Sequence, residues 1–321
     1  MGRGAYNHST ATARTAARKA LPAQEVFTEN RLHPGLSPSG LVVRESRDSE
    51  AHQKSIGAVL FTDITGSMGD IPHTLATVTL PDFLHGLSLV NSDAQVLFAA
   101  FGDAEDGDLG GALQFGQFET DDRLADECLT RIWLGGSGGS WGYESADLAF
   151  YTMGFHTSMD CWVRRKQKGC GFVITDDTCR PRVRAATVNR LFGRNVLDQD
   201  LPVEMVIAKA AETFHLFVLI PDHSRARQPA SYPDDGPTFT ARMTVQEHWK
   251  ARLRSHGTVV VLDRAEDAAI VANVLFGLTQ KFFQTLTDIR KYLSANFRRS
   301  GAEAERVISS IRDYARSIGV V

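Results

Sequence analysis

The sequence predicts an α/β protein built around a doubly wound, mostly parallel sheet. Two observations carry this. Short apolar runs bounded by turn residues alternate along the chain with segments of helical character, the pattern of strands and crossover helices. Several of the runs, such as Gly57 to Phe61 and Gln95 to Phe101 (QVLFAAF), are apolar throughout, as strands covered on both faces are. With 321 residues, 43% of them hydrophobic, the chain can bury a full core, as one large domain or two small ones.

Residues 1 to about 40 lack apolar periodicity, and with the charged stretch that follows, 1–50 reads as a flexible N-terminal arm. The first 40 are rich in Ala, Ser, Thr, Arg and Pro, with no acid before Glu25. Arg3, Arg14, Arg18 and Lys19 without acids resemble a transit peptide, but a plain disordered bacterial N-terminus is the preferred reading; with no apolar h-region, a secretory signal is not expected. The strand Gly57 to Phe61 comes next, followed by a helix from Pro72 to Val90. Gln95 to Phe101 is the second buried strand, and Ala112 to Phe118 alternates enough to be an antiparallel edge beside it.

Helices are expected at Asp121 to Trp133 and Tyr143 to His156, separated by a Gly-rich run from Gly135 to Gly142. Gly171 to Thr175 is a short central strand ending in Asp176-Asp177. Val183 to Phe192 and Val203 to Phe214 read as helices, His215 to Ile220 as a strand, and 221–240 as a long surface loop. Val245 to Ser255 (helix), Thr258 to Leu262 (strand) and Asp267 to Thr279 (helix) complete the wound unit, over 51–280. The remainder, 281–321, is a helical extension: Val307, Ile308, Ile311, Ala315 and Ile318 share one face, with Arg306, Arg312, Asp313 and Arg316 on the other. Such a face packs on its own domain more often than on a partner.

A net charge of −3 and a pI near 6.4 give no general pull toward nucleic acid or anionic membrane. No apolar run approaches the roughly 18 residues a membrane span needs. Cys128, Cys161, Cys170 and Cys179 form neither a C-x-x-C pair nor a secreted-type framework and read as reduced thiols of a cytoplasmic protein. The ten histidines include no H-x-x-x-H pair, which argues against zinc.

The candidate chemistry lies in Asp63-Ile64-Thr65-Gly66-Ser67, between the first buried strand and the helix after it. One carboxylate and two hydroxyls at alternate positions of a turn can point into one small volume. With oxygen donors only, they suit a hard divalent cation. The plainer reading is that Asp63 and Thr65 cap the helix. Asp63-x-Thr65-x-Ser67 after a buried strand resembles the metal-ion-dependent adhesion site of von Willebrand factor A domains, whose usual form is Asp-x-Ser-x-Ser; Thr keeps the hydroxyl. Asp-x-Thr-Gly-Ser-Met also looks like the form found in many intracellular bacterial members.

That resemblance implies a Rossmann-like, mostly parallel six-stranded sheet with one antiparallel edge, over roughly residues 55 to 280. It implies a Mg²⁺ or Mn²⁺ site completed by a hydroxyl from a Gly-rich loop and by an Asp at the tip of the following strand. Ser140 is the favoured third-loop ligand, with Ser137 and Glu144 as alternatives, and Asp176 follows the apolar run Phe172-Val173-Ile174-Thr175. The implied function is non-catalytic: an adaptor that binds an Asp or Glu carboxylate of a partner protein through the ion. Relatives of this kind commonly act beside MoxR-type AAA+ ATPases or kinases.

The enzymatic alternative is that the same pentad resembles the Asp-Lys-Thr-Gly-Thr motif of haloacid-dehalogenase-type phosphotransferases, with Asp63 as nucleophile and Asp176-Asp177 as metal acids. There Ile64 replaces the motif's Lys, Thr65 stands where phosphatases carry an acid/base Asp, and Lys166 and Lys168 are the nearby candidates for a later lysine. Asp103 to Asp108 lacks the EF-hand order and reads as a solvated loop near the site rim. Arg180, Arg182, Arg184, Arg190 and Arg194 read as a solvated helix face, and Trp141 as packing.

Overall fold

The structure, a computed structural model, describes residues 6–104, 111–135, 144–230 and 243–321, with the backbone alone at 78–80. In chain order its strands are β1 (Arg44–Ser46), β2 (Ile56–Asp63), β3 (Ala94–Phe101), β4 (Leu113–Phe115), β5 (Thr157–Met159), β6 (Gly169–Ile174), β7 (Arg182–Val183), β8 (Leu201–Pro202), β9 (Phe214–Ile220) and β10 (Gly257–Val261). Six of them form the central sheet in the order β10-β9-β6-β2-β3-β4, all parallel except the edge strand β4. This is the mostly parallel sheet with one antiparallel edge that the sequence and its resemblance imply.

Every residue of β2 is buried, because helices cover both faces of the sheet. Successive residues of β6 show the two layers. Phe172 meets Phe83 of the helix Leu80–Val90 edge-on, whereas a Cβ on Gly171 would run into Met153 of the helix Ala146–Phe155. The first of these helices packs on Ala268–Thr279, the second on Val203–Thr213. From β2 the chain moves outward through β3 and β4, then returns to place β6 on the other side of β2. Strand order therefore reverses at β2, and the crevice beyond the carboxyl ends of β2 and β6 is where such sheets bind ligands.

Three expectations change. The helix expected over 72–90 is interrupted: Ile71–Thr74 is α-helical, Leu75–Thr79 forms a π turn, and the α-helix resumes at Leu80. Pro81 explains the break, because it has no N–H to donate and its ring collides with the carbonyl four residues back; a wider turn relieves both.

The N-terminal segment is not a flexible arm from residue 8 onward. His8–Arg18 is a helix capped by Asn7, whose Oδ1 accepts from the amides of Ser9 and Thr10. Arg14 and Arg18, one turn apart, pair with Asp122 and Asp126, one turn apart on the helix Asp122–Thr130. Farther on, β1 pairs in parallel with β5.

In the C-terminal helix Ala302–Ser317, Val307, Ile308, Ile311 and Ala315 are all fully buried, whereas Ile318 just past its end is 44% exposed. Arg306, placed on the solvent face by sequence, instead joins Arg299 on the buried carboxylate of Asp267. Among the described residues, no helix is long and apolar enough to cross a membrane.

Candidate metal centre

Asp63 is the last residue of β2 and has no solvent exposure. The chain leaves the strand through Ile64, whose amide donates to the carbonyl of Phe101 on β3, and turns once as the 3-10 segment Gly66–Met68. Buried Met68 anchors that turn, and Gly69, with φ of +53°, lets it end in a conformation other residues resist. These local features bring the alternate side chains of the pentad together. Asp63 Oδ1 accepts from the Thr65 amide at 2.9 Å and from the Thr65 hydroxyl at 2.7 Å. The hydroxyl oxygens of Thr65 and Ser67 lie 3.1 Å apart.

The second carboxylate arrives from the tip of β6. Ser67 Oγ donates to Asp176 Oδ1 at 2.8 Å, and Thr175 Oγ1 donates to Asp63 Oδ2 at 2.8 Å. Asp63, Thr65, Ser67 and Asp176 thus form one connected cluster across the switch point. Ser140 and Ser137 lie outside the described residues, as does Trp141. Glu144, the third-loop alternative, is buried to 5% exposure, shares a hydrogen bond with the Thr65 side chain, and has one carboxyl oxygen, Oε2, with no hydrogen-bond partner.

Three features of the site were not assigned from sequence. Thr175 enters the sequence reading only as part of the strand, although a hydroxyl next to the strand-tip Asp is a usable signal. Arg225 lies in the stretch expected to be a surface loop, on the short helix His223–Ala226. Its Nε contacts Asp176 Oδ2 at 3.0 Å, and its Nη2 donates to the Ser67 carbonyl at 2.9 Å. Asp222 pairs with the same guanidinium at 3.2 Å. No sequence spacing points to this contact, which spans 158 positions to Ser67. Arg180, expected on a solvated face, is 7% exposed and paired with buried Asp103.

Burial dominates the electrostatics. It pushes Asp63 well above the usual carboxylate range, and the charge of Asp176 pushes the same way, against the hydrogen bonds from Thr65 and Thr175. Asp176 is raised by burial and held back by Ser67 and Arg225. Asp177 is pushed up to about 6, chiefly by burial. Glu144 is raised most, by burial first and then by the charges of Asp63, Asp177 and Asp103. Burial shifts every one of these carboxyl groups toward the protonated form, as in a site short of positive charge; among the described residues Arg225 is the cation in contact with the cluster.

The donor set fits a hard cation. Cis oxygens around six-coordinate Mg²⁺, with bonds of about 2.1 Å, sit about 3 Å apart, and the two hydroxyls already stand at 3.1 Å. Among the described residues, no three His, Cys, Asp or Glu side chains are grouped to hold a metal by themselves. Hydroxyls would have to complete the shell, which disfavours zinc or copper and suits Mg²⁺ or Mn²⁺. Lys166 and Lys168 precede β6 and so lie at the opposite end of the sheet from Asp63. Lys168 there donates to the carbonyl of Ala211.

No protein-family model matches the chain, and no curated relative is found. Among solved structures, the open conformation of the pilus adhesin SpaC from Lactobacillus rhamnosus GG aligns over 75% of this chain and 31% of its own, at 12% identity and a TM-score of 0.43. A von Willebrand factor type A structure from Catenulispora acidiphila aligns over 79% of this chain and 52% of its own, at 14% identity and a TM-score of 0.36. The chain thus spans about a third to a half of the length of these structures. Likenesses this distant decide neither family nor activity.

Proposed function

We propose that the chain is a metal-ion-dependent protein-interaction module of the von Willebrand factor A kind, not an enzyme. Asp63, Thr65, Ser67 and Asp176 would hold Mg²⁺ or Mn²⁺, with a hydroxyl of the Gly-rich loop (Ser140 or Ser137) or Glu144 as the third-loop donor. When bound, the ion would supply an electrophilic position for an Asp or Glu carboxylate of a partner protein. The observation that carries the reading is the convergence of two hydroxyls and two carboxylates, from turns 109 positions apart, into one hydrogen-bonded cluster at the switch point.

The protein's own contribution is positioning. Thr175 and the Thr65 amide fix both oxygens of Asp63, so the carboxylate cannot rotate away. Using hydroxyls for part of the shell keeps the ligand charge low, which leaves an ion able to attract one more anion. Buried surroundings strengthen that attraction.

Capture of partner proteins with and without chelator tests the proposal, a MoxR-type AAA+ ATPase or a kinase being the first partners to try. Binding should be lost in EDTA, restored by Mg²⁺, and absent in Asp63→Ala. Binding that ignores EDTA and survives Asp63→Ala would refute it. The phosphotransferase alternative would instead be supported by steady turnover of a phosphoester or by label from ATP retained on Asp63.

A further inference from the structure

The central sheet ends at β10, which pairs with β9 on one side and with no other strand among the described residues. Backbone alternation tells which groups face outward. The Leu262 amide donates to Ile220 of β9, so Val260 and Thr258 also face β9, while Val259 and Val261 turn their N–H and C=O groups away. Those outward groups have no hydrogen-bond partner among the described residues.

The edge is not flush with the surface. It forms the floor of a cleft of about 440 Å³, with Gln246 and Lys250 of the helix Val245–Leu253 on one wall and Ser309, Ser310 and Asp313 of the helix Ala302–Ser317 on the other. Natural sheets ordinarily cap, charge or bulge an open edge, because its ladder of free groups invites another strand. Here Thr258-Val259-Val260-Val261 carries no Pro, Lys or Gly to discourage one. Both walls are helices, so the edge of a second copy would have to bring its own covering helices against them, whereas a lone strand would not.

We infer that β10 is a docking edge for an extended peptide segment of another protein, bound by strand addition in this cleft. Strand addition takes affinity from the main chain and specificity from alternate side chains. Lys250 on one wall and Asp313 on the other are both exposed and carry opposite charges. A strand pairing with the roughly 17 Å of β10 sends alternate residues to opposite walls. The segment that fits has an acidic side chain facing Lys250 and a basic one of opposite parity facing Asp313, with no proline among the residues that pair. This surface lies at the last strand of the sheet and does not depend on the metal reading.

The test uses the full chain and a fluorescein-labelled hexapeptide, Thr-Glu-Val-Thr-Lys-Val, read by polarisation. Saturable binding is expected, with at least a tenfold loss in Val259→Pro, which removes one outward N–H while leaving the β9 ladder intact. Methylating the peptide's ladder-facing amides should give a similar loss. Should Val259→Pro not fold, Lys250→Glu keeps the test open: it should weaken the Glu peptide and favour the peptide carrying Lys in that position. The inference fails if the wild-type chain shows no saturable binding at millimolar peptide. Insensitivity to both amide methylation and the charge exchange would also overturn it. So would light scattering that shows a dimer which Val259→Pro dissociates, since the edge would then belong to a second copy.

Discussion

Asp63 has no contact with solvent and accepts three hydrogen bonds, yet burial still raises its proton affinity. Among the described residues, the one full positive charge in contact with this cluster is Arg225, through Asp176. A divalent ion would bring its charge close to that guanidinium, so the two oppose each other. Arg225→Gln should therefore bind Mg²⁺ about five- to tenfold more tightly, roughly 1 kcal/mol, in a calorimetric titration. Weaker binding would mean that Arg225 chiefly holds Asp176 in place. A second prediction concerns His248, which is fully buried and pushed down to about 3 by burial and then by Arg252. Its unfolded counterpart titrates near 6.5. Between these values the unfolded chain binds a proton that the folded one refuses, so stability is lost as pH falls below about 6.5. Urea unfolding at pH 5.5 should show about 1 kcal/mol less stability from this group than at pH 7.5, a difference that His248→Gln removes. Asp63, Thr65 and Ser67 were readable because one turn carries all three and the preceding apolar strand says where that turn lies. Arg225 was not, since a long-range contact between a loop cation and a carboxylate leaves no periodicity.

Strands were the most legible elements, since runs such as 57–61 and 95–101 are buried on both faces and so apolar throughout. Amphipathic helices gave up their faces too, but not their irregularities. Pro81 was visible, while the π turn it imposes depends on whether packing on both sides keeps the helix going; it does, with Phe83 fixed between Phe98 and Phe172. The N-terminal helix was missed for a different reason. It buries only Ala11 and Thr15 and is held by Arg14 and Arg18 on Asp122 and Asp126, so its hydrophobic signal is nearly absent. The C-terminal helix is the opposite case, attached by a continuous apolar stripe. Ile311→Ala at its centre, a fully buried position, should cost about 2–5 kcal/mol in denaturant unfolding. A loss below 1 kcal/mol would show that this helix contributes little to the stability of the sheet domain.

The order of strands accounts for where everything converges. Because the chain lays β3 and β4 to one side of β2 and β6 to the other, the turns after β2 and β6 are neighbours although 109 positions separate Ser67 from Asp176. The alternation of strands and helices made this arrangement predictable in class, and the resemblance in the Asp-x-Thr-x-Ser turn supplied its order. What the alternation could not supply was the electrostatic state of the crevice, in which Asp63, Asp176, Asp177 and Glu144 are all raised by burial. Such a crevice is short of positive charge, and a divalent cation that binds only the folded chain must stabilise it. The most direct measurement is thermal unfolding during titration with Mg²⁺ or Mn²⁺, in wild type and in Asp63→Asn. At a hundredfold excess over its dissociation constant, a cation should add about 2.7 kcal/mol, raising the wild-type midpoint by several degrees while leaving Asp63→Asn unmoved. A wild-type midpoint that does not respond to either ion, or an equal rise in both proteins, would contradict the assignment of this cluster as a metal site.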